Sequence, residues 1–281
     1  MSDMAGRLSD SHNPYRDRAA RPGAVAPAWW LVCSRELTDL WIGGKALILL
    51  LVYTVLLGLI SFVVAINHEL DLIPPKELVF LTLQIAIAAG AFLGLIIGAD
   101  SLSGERERAT LEPLLLTPVS RRQIVVGKFL AGISPWPLVL LITVPYLAVL
   151  AQGDEVLGPA LFWGLSLGSV MAVAYTGLGM VVSFWCTTNR TSLFVSLTLY
   201  LLTFLPTQLP GQAQKGLVGK LVQRANPMEA TNEFLEKILV NNRTLAEFRS
   251  WLVSPIVVAA ALLGLLLLYA GPRLRLEARR R

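Results

Sequence analysis

Six stretches of this sequence contain no Asp, Glu, Lys or Arg: the run between Lys45 and Glu69, then 78–99, 129–153, 156–189, 191–214 and 250–272. Each is long enough for a helix to cross a hydrocarbon core of ~30 Å, which takes about 20 residues. A helix in water cannot stay uncharged for that distance without exposing an apolar face. The stretches therefore read as six membrane-spanning helices at about 45–66, 78–99, 128–151, 159–186, 191–210 and 251–271. Composition agrees, with 54% hydrophobic and 15% charged residues against roughly a quarter charged in soluble domains. The expected fold is an all-α integral membrane protein.

The first uncharged stretch follows about 45 mostly polar residues. It lacks the short basic leader and small-residue cleavage site of a secretory signal, and reads as an uncleaved first span. Residues 1–27, rich in Arg, Pro, Ser and Asp, are expected to be a disordered lead-in, and 273–281 a basic tail. With the N-terminus placed inside, the N-terminal segment, the 100–128 loop, the turn at Arg190 and the tail hold seventeen of the 24 Lys and Arg. The short outer loops 67–77 and 152–158 hold only Lys76. That distribution obeys the positive-inside rule and predicts cytoplasmic termini. The sequence pI near 9.4 then reflects topology, not nucleic-acid binding. Arg273, Arg275, Arg279, Arg280 and Arg281 directly follow a span and suit anionic lipid heads. Cys33 and Cys186, both on the inner side, are expected to be free thiols.

Residues 28–43 read as an amphipathic helix in the inner interface. Trp29, Trp30, Cys33, Leu37, Leu40 and Trp41 recur at helical spacing, Arg35, Glu36 and Asp39 fill the other face, and Gly43 and Gly44 permit the turn into the bilayer. Small residues recur every four positions in the second span (Ala86, Gly90, Gly94, Gly98) and the fourth (Gly164, Gly168, Ala172, Thr176). Such stripes let a neighbouring helix approach closely, either within one subunit or at a subunit or translocation surface. Pro135, Pro137 and Pro145 predict a kinked third span. In the outer segment 211–250, Asn226-Pro227 opens a helix whose Met228, Phe234, Leu235, Ile238 and Leu239 share a side. That helix is expected either on the outer membrane surface or capping the spans.

Chemistry-bearing motifs are sparse. The two histidines, His12 and His68, form no HExxH pair or triad, and a polar-loop cluster of His68, Glu69 and Asp71 reads as solvated. The Gly-Lys pairs at Gly44, Gly127 and Gly219 lack the upstream glycine and following Ser or Thr of a GxxxxGK(S/T) phosphate loop. No catalytic, cofactor or metal site is expected in this chain. Every charged group is expected at or beyond a span end, which disfavours ion-coupled transport. The driving force is expected to come from outside the bilayer.

The loop between spans two and three carries the densest signal. Glu105, Arg106, Glu107 and Arg108 alternate in charge, and Thr110 to about Leu116 reads as a short helix with Thr110 as N-cap, Pro113 in its first turn and Leu111, Leu114 and Leu115 on one face. Thr117-Pro118 ends it, and Arg121 and Arg122 mark the return to the membrane. Such a helix suits docking into a soluble partner's groove; the plain alternative is a solvated connection.

The run from Gly104 to Pro118, followed by Ser120-Arg121 and Gly127-Lys128, resembles the loop of ABC-2 type permeases, which runs Glu-basic-Glu-x-Gly-Thr-Leu-Glu-x-Leu-Leu, then Ser/Thr-Pro, Ser/Thr-Arg and Gly-Lys. Ala109 stands where glycine is usual. The resemblance covers about 28–272, including the helix around Arg35-Glu36-Leu37 and the Asn-Pro-initiated outer helix. It implies a type-2 exporter permease fold in a prokaryotic plasma (inner) membrane, with no nucleotide site of its own. It implies a second permease subunit, more readily a homodimer than a heterodimer, and two copies of a soluble ATPase that bind ATP and Mg. Position by position it assigns ATPase coupling to Glu105, Arg106, Glu107, Thr110, Leu111, Glu112, Leu114, Leu115 and Thr117, with Arg35 and Glu36 as a second contact. Apolar, small-residue spans favour an amphipathic, lipid-like or drug-like cargo. The alternative is a non-transporting assembly or mechanical device acting on a periplasmic partner through 211–250.

Overall fold

The computed structural model describes residues 27–66, 73–151, 155–208, 219, 223–241, 243 and 245–270, without the side chains of 65, 112, 115, 246, 247, 269 and 270. The lead-in 1–26, the basic tail, the His68–Asp71 cluster, most of 209–222 and Asn242 lie outside the described residues. The order is α1 (Ala28–Trp41), α2 (Lys45–Ile66), α3 (Pro75–Glu107), α4 (Leu111–Leu115), α5 (Arg121–Ile133), α6 (Pro135–Ala151), α7 (Leu157–Trp185), α8 (Asn189–Phe204), α9 (Pro227–Leu239), α10 (Leu245–Phe248) and α11 (Val253–Gly264). No strand occurs among the described residues. Six helical segments are long and apolar enough to cross a membrane: Lys45–Val64, Pro75–Glu107, Arg121–Ala151, Leu157–Trp185, Asn189–Gln208 and Arg249–Leu268.

Two helix ends differ from those read off the charges. The second span runs about two turns beyond 99, to Glu107, and the third starts at Arg121 rather than 128. Charge counting finds the width of the oil, whereas a helix continues wherever its polar side chains find partners. The third span breaks at Ser134: α5 ends at Ile133, and Pro135 starts α6, where its missing N–H is harmless. Pro145 lies within α6. The last crossing starts as a 3₁₀ turn, Arg249–Leu252, and ends in π-helical winding, Leu265–Ala270.

The core is built on α3 and α7. Over their most apolar windows they are 56% and 67% buried, against 17% for the first, fifth and sixth crossings, so those three turn most of their surface outward. Both small-residue stripes make close contacts inside the chain. A Cβ at Gly90 would clash with Trp136 Cε3, and one at Gly168 with Trp136 Cζ2. The indole of α6 is thus wedged between α3 and α7, with its Nε1 donating to Ser169 Oγ (3.0 Å). Gly94 and Gly98 face Thr176 of α7, and Gly164 faces Leu83 of α3. With oil on the outside, such close packing and hydrogen bonds between helices replace the hydrophobic drive. The bonds include Tyr53 Oη to Thr143 Oγ1 (2.6 Å), and Tyr200 Oη donating to Ala88 O (3.0 Å).

The two peripheral helices follow from their patterns. Val32, Cys33 and Leu40 of α1 are buried, α1 lies along α5, and Trp41 Nε1 donates to Ser134 Oγ (3.2 Å). Trp30 stays largely exposed. Gly44, at φ +80°, makes the turn into α2 that a side chain would strain. At the opposite end of the bundle, Asn226 caps α9 by accepting from Met228 N (3.0 Å) and donates Nδ2 to Thr203 O (2.6 Å). Met228, Phe234, Leu235 and Leu239 are buried against the spans. Helix α9 therefore caps one end of the bundle.

The packing predicts asymmetric tolerance along the spans. A Cβ at Gly98 would meet Thr176 O at 2.5 Å, which is backbone and cannot swing away, whereas one at Gly58 would meet only Tyr146 Oη at 3.7 Å. Gly98→Ala is expected to destabilise by about 1–3 kcal/mol and Gly58→Ala to be near neutral, read from thermal unfolding of the detergent-purified chain.

Candidate functional site

The charged run from Asp100 to Arg108 forms the last two turns of α3 and its C-cap; Arg108 pairs back to Asp100, and the other charges find partners on other helices or at helix ends. Glu105 is 7% exposed, and its Oε1 lies 2.9 Å from Lys128 Nζ. Lys128, fully buried on α5, also pairs with Glu36 Oε1 of α1 at 2.7 Å. Arg106 donates to Cys186 O and to Phe184 O (3.4 Å), the open carbonyls where α7 ends. Glu107 Oε2 accepts from Asn189 N (2.9 Å), the first amide of α8. A cation at a helix C-terminus and an anion at an N-terminus both complement the helix dipole. Asp100 collects Lys45 of α2 (2.7 Å) and Arg108 (3.0 Å). One short segment thus ties α3 to α2, α5, α7 and α8, and through Lys128 to α1.

The segment ends in a turn held by backbone bonds. Thr110 N donates to Glu105 O (2.9 Å) and Ala109 N to Arg106 O (3.3 Å), the paired bonds of a Schellman motif. Its left-handed position is Ala109, at φ +56°. Glycine takes this conformation freely, whereas alanine pays a steric cost of about 1–2 kcal/mol. The Thr110 hydroxyl, read from sequence as the N-cap of α4, donates backward to Glu105 O (3.3 Å).

Helix α4 presents the face opposite to the one expected for docking. Leu111 packs with Leu102, Val125, Phe129, Met180 and Leu266, and Leu114 packs with Val32 and Ile124. Both leucines belong to the chain's own core. The outward surface is Pro113, Leu116 (76% exposed) and Thr117, whose hydroxyl donates to Leu114 O (2.6 Å). The side chains of Glu112 and Leu115 lie outside the described residues. Ser120 then opens α5 with a capping box, accepting from Gln123 N while Gln123 Oε1 accepts from Ser120 N (both 3.3 Å).

The structure therefore divides the residues assigned to ATPase coupling. Glu105, Arg106, Leu111, Leu114 and Glu36 face partners within the chain, and Glu107 spends one carboxylate oxygen on α8. Arg35 stays exposed, only loosely paired with Asp39 at 4.0 Å. Leu116 and Pro113, which lie off the shared leucine face, are exposed instead. Lys128 was missed because a single lysine at the start of a span reads as an anchor. The signal was its neighbour Gly127, where a Cβ would meet Trp29 O at 2.7 Å and Val32 Cβ at 2.9 Å. That contact brings α1, and with it Glu36, against α5. Cys33, one turn before Glu36, is a free thiol pushed above its usual range by burial and then by the Glu36 charge. Cys186 is also free.

Comparison with known proteins agrees with this architecture. The sequence model of the family described as "ABC-2 family transporter protein" matches residues 48–271. The ABC transporter permease protein NatB of Bacillus subtilis (strain 168) is 54% identical over 35 residues, or 12% of this chain. The chain matches only 9% of that relative's length.

A lysine without water needs both its carboxylates, and stripping one partner from a buried ion pair costs about 3–5 kcal/mol. Lys128→Met is expected to destabilise by that order, and Lys128→Met/Glu105→Gln to recover part of the loss, which thermal unfolding of the single and double variants measures. Ala109→Gly is expected to raise stability by about 1 kcal/mol, by relieving the left-handed alanine; the same assay reads it.

Proposed function

The chain belongs to the ABC-2 transporter family, and we propose that it works as the permease subunit of an ATP-driven exporter, energised by a separate soluble ATPase that docks at the α3–α4 elbow. The chain is a multi-pass membrane protein and the transmembrane component of an ABC transporter. On the proposed reading the elbow is cytoplasmic, in agreement with the Lys/Arg distribution, and the membrane is a prokaryotic plasma membrane. Two permease copies pair, two ATPase copies bind ATP and Mg, and the cargo is amphipathic. The first, fifth and sixth crossings, only 17% buried over their apolar windows, leave surface for lipid and for a second copy.

One observation carries the coupling: the segment next to α4 is bonded to four other helices through Glu105, Arg106, Glu107 and Asp100, and to a fifth, α1, through Lys128. A push on α4 would reach several spans together, because its leucines are anchored in the core that those spans build. This assigns the residues two kinds of work. Leu116, Pro113, Thr117, Arg35 and the exposed side of Glu107 form the docking surface. Glu105, Arg106, Leu111, Leu114, Glu36 and Lys128 are positioning residues that carry the displacement inward.

The division is testable on the exposed leucine. Burying Leu116 at an interface contributes about 1.5–3 kcal/mol, so Leu116→Asp is expected to lower recruitment of the phosphate-loop ATPase that co-purifies with the tagged chain by at least about tenfold. Membrane insertion and thermal unfolding of the permease should be unchanged, because the side chain touches solvent and not the core. Full ATPase recruitment and hydrolysis in Leu116→Asp would contradict docking at α4.

A further inference from the structure

A cavity of about 560 Å³ lies beside the elbow, between α1, α2, α3, α5 and the start of α8. Its polar side carries two charge groups of opposite sign. Lys128 is shared by Glu36 and Glu105, so two carboxylates on one ammonium leave that group formally negative. Asp100 is shared by Lys45 and Arg108, so two cations on one carboxylate leave that group formally positive. Arg35 and Asp39 add a loose neutral pair at 4.0 Å. The remaining wall is apolar: Ile48, Leu49, Ile96, Ile97 and Leu193. Ile48 is itself 62% exposed, so the cavity reaches the outward apolar flank of α2.

We propose that this cavity binds a zwitterionic amphiphile from the adjoining leaflet, with a headgroup carrying a primary ammonium and a phosphate. The ammonium pairs with the Glu36–Glu105 group. Glu105 Oε2 has no hydrogen-bond partner among the described residues, and a buried carboxylate oxygen without a donor is costly. Glu36, whose side chain is 22% exposed, opens that group to the cavity, where a primary ammonium supplies N–H donors and a quaternary one none. The phosphate pairs with Lys45 and Arg108, each about half exposed and sharing a single carboxylate. The hydrocarbon lies along Ile48, Ile97 and Leu193. The volume falls in the range of small-molecule sites, which suits a headgroup and the first part of its tails. An anionic headgroup can place its phosphate on Lys45 and Arg108 but brings no cation to the Glu36–Glu105 group, which stays unanswered.

This inference rests on the geometry of the chain alone, and its test needs no ATPase. The full chain is reconstituted in vesicles of equal parts phosphatidylethanolamine, phosphatidylcholine and phosphatidylglycerol, re-extracted, and examined for retained lipid by native mass spectrometry. Phosphatidylethanolamine is expected to be retained about tenfold over phosphatidylglycerol, with phosphatidylcholine between them. Lys45→Gln should lower that retention about tenfold, the worth of one charge-assisted hydrogen bond. Leu193→Trp, which fills the apolar end and leaves every charge in place, should abolish it. Water-soluble phosphoethanolamine is expected not to displace the lipid, because it lacks the tail. Equal retention of the three lipids, unchanged retention in both variants, or displacement by soluble phosphoethanolamine would overturn the assignment.

Discussion

Lys128 is fully buried, and the two carboxylates that hold it come from different helices, Glu36 on α1 and Glu105 on α3. A charge in that position cannot be solvated by water, so the three helices must stay together for the charge to be tolerated. Around this triad the rest of the elbow is arranged. Once Glu105 is fixed, the next residues along α3 meet the open carbonyls of α7 and the first amide of α8, and the turn at Ala109 directs α4 back against the bundle. A segment that resembles a charged surface patch is in fact a joint, in which Arg106 and Glu107 satisfy the ends of other helices and Glu105 and Asp100 hold lysines of α5 and α2.

The joint is stiff because it is continuous with a dry core. Leu102 of α3, Leu111 of α4, Val125 and Phe129 of α5 and Met180 of α7 form one buried cluster directly beneath it. Deeper in the bundle, α3 and α7 approach across glycines and hold the Trp136 indole between Gly90 and Gly168. Interiors packed this closely transmit displacement instead of absorbing it. On the proposed reading, movement imposed on α4 therefore spreads through α3 to the helices tied to its end, while the loosely buried outer helices are free to shift against lipid.

Much of the architecture was legible in the sequence because oil imposes a simple rule. Six uncharged stretches had to be six crossings, and the Asn226-Pro227 pair had to start a helix. Direction was harder to read. The periodicity of Leu111 and Leu114 marked an apolar face correctly, but a pattern alone does not say whether that face meets a partner or the chain's own core. Charges misled in a related way: Asp100 and Lys128 were taken to mark the water boundary, whereas pairing lets them extend the helices past it. Pairing between residues as distant as Glu36 and Lys128 depends on the close approach at Gly127, which is a property of the folded backbone.

The account depends on the elbow moving as one body. Spin labels at Pro118, on the exposed turn after α4, and at Arg190, at the start of α8, span the joint and replace residues that are exposed. With Cys33 and Cys186 removed, their separation can be measured by double electron–electron resonance in the permease–ATPase complex, without nucleotide and with ATP trapped. One narrow distance distribution, the same in both states, is the predicted result. A shift of several ångströms between the two states would mean that α4 moves independently of α3 and α8, and would contradict the rigid joint on which the coupling rests.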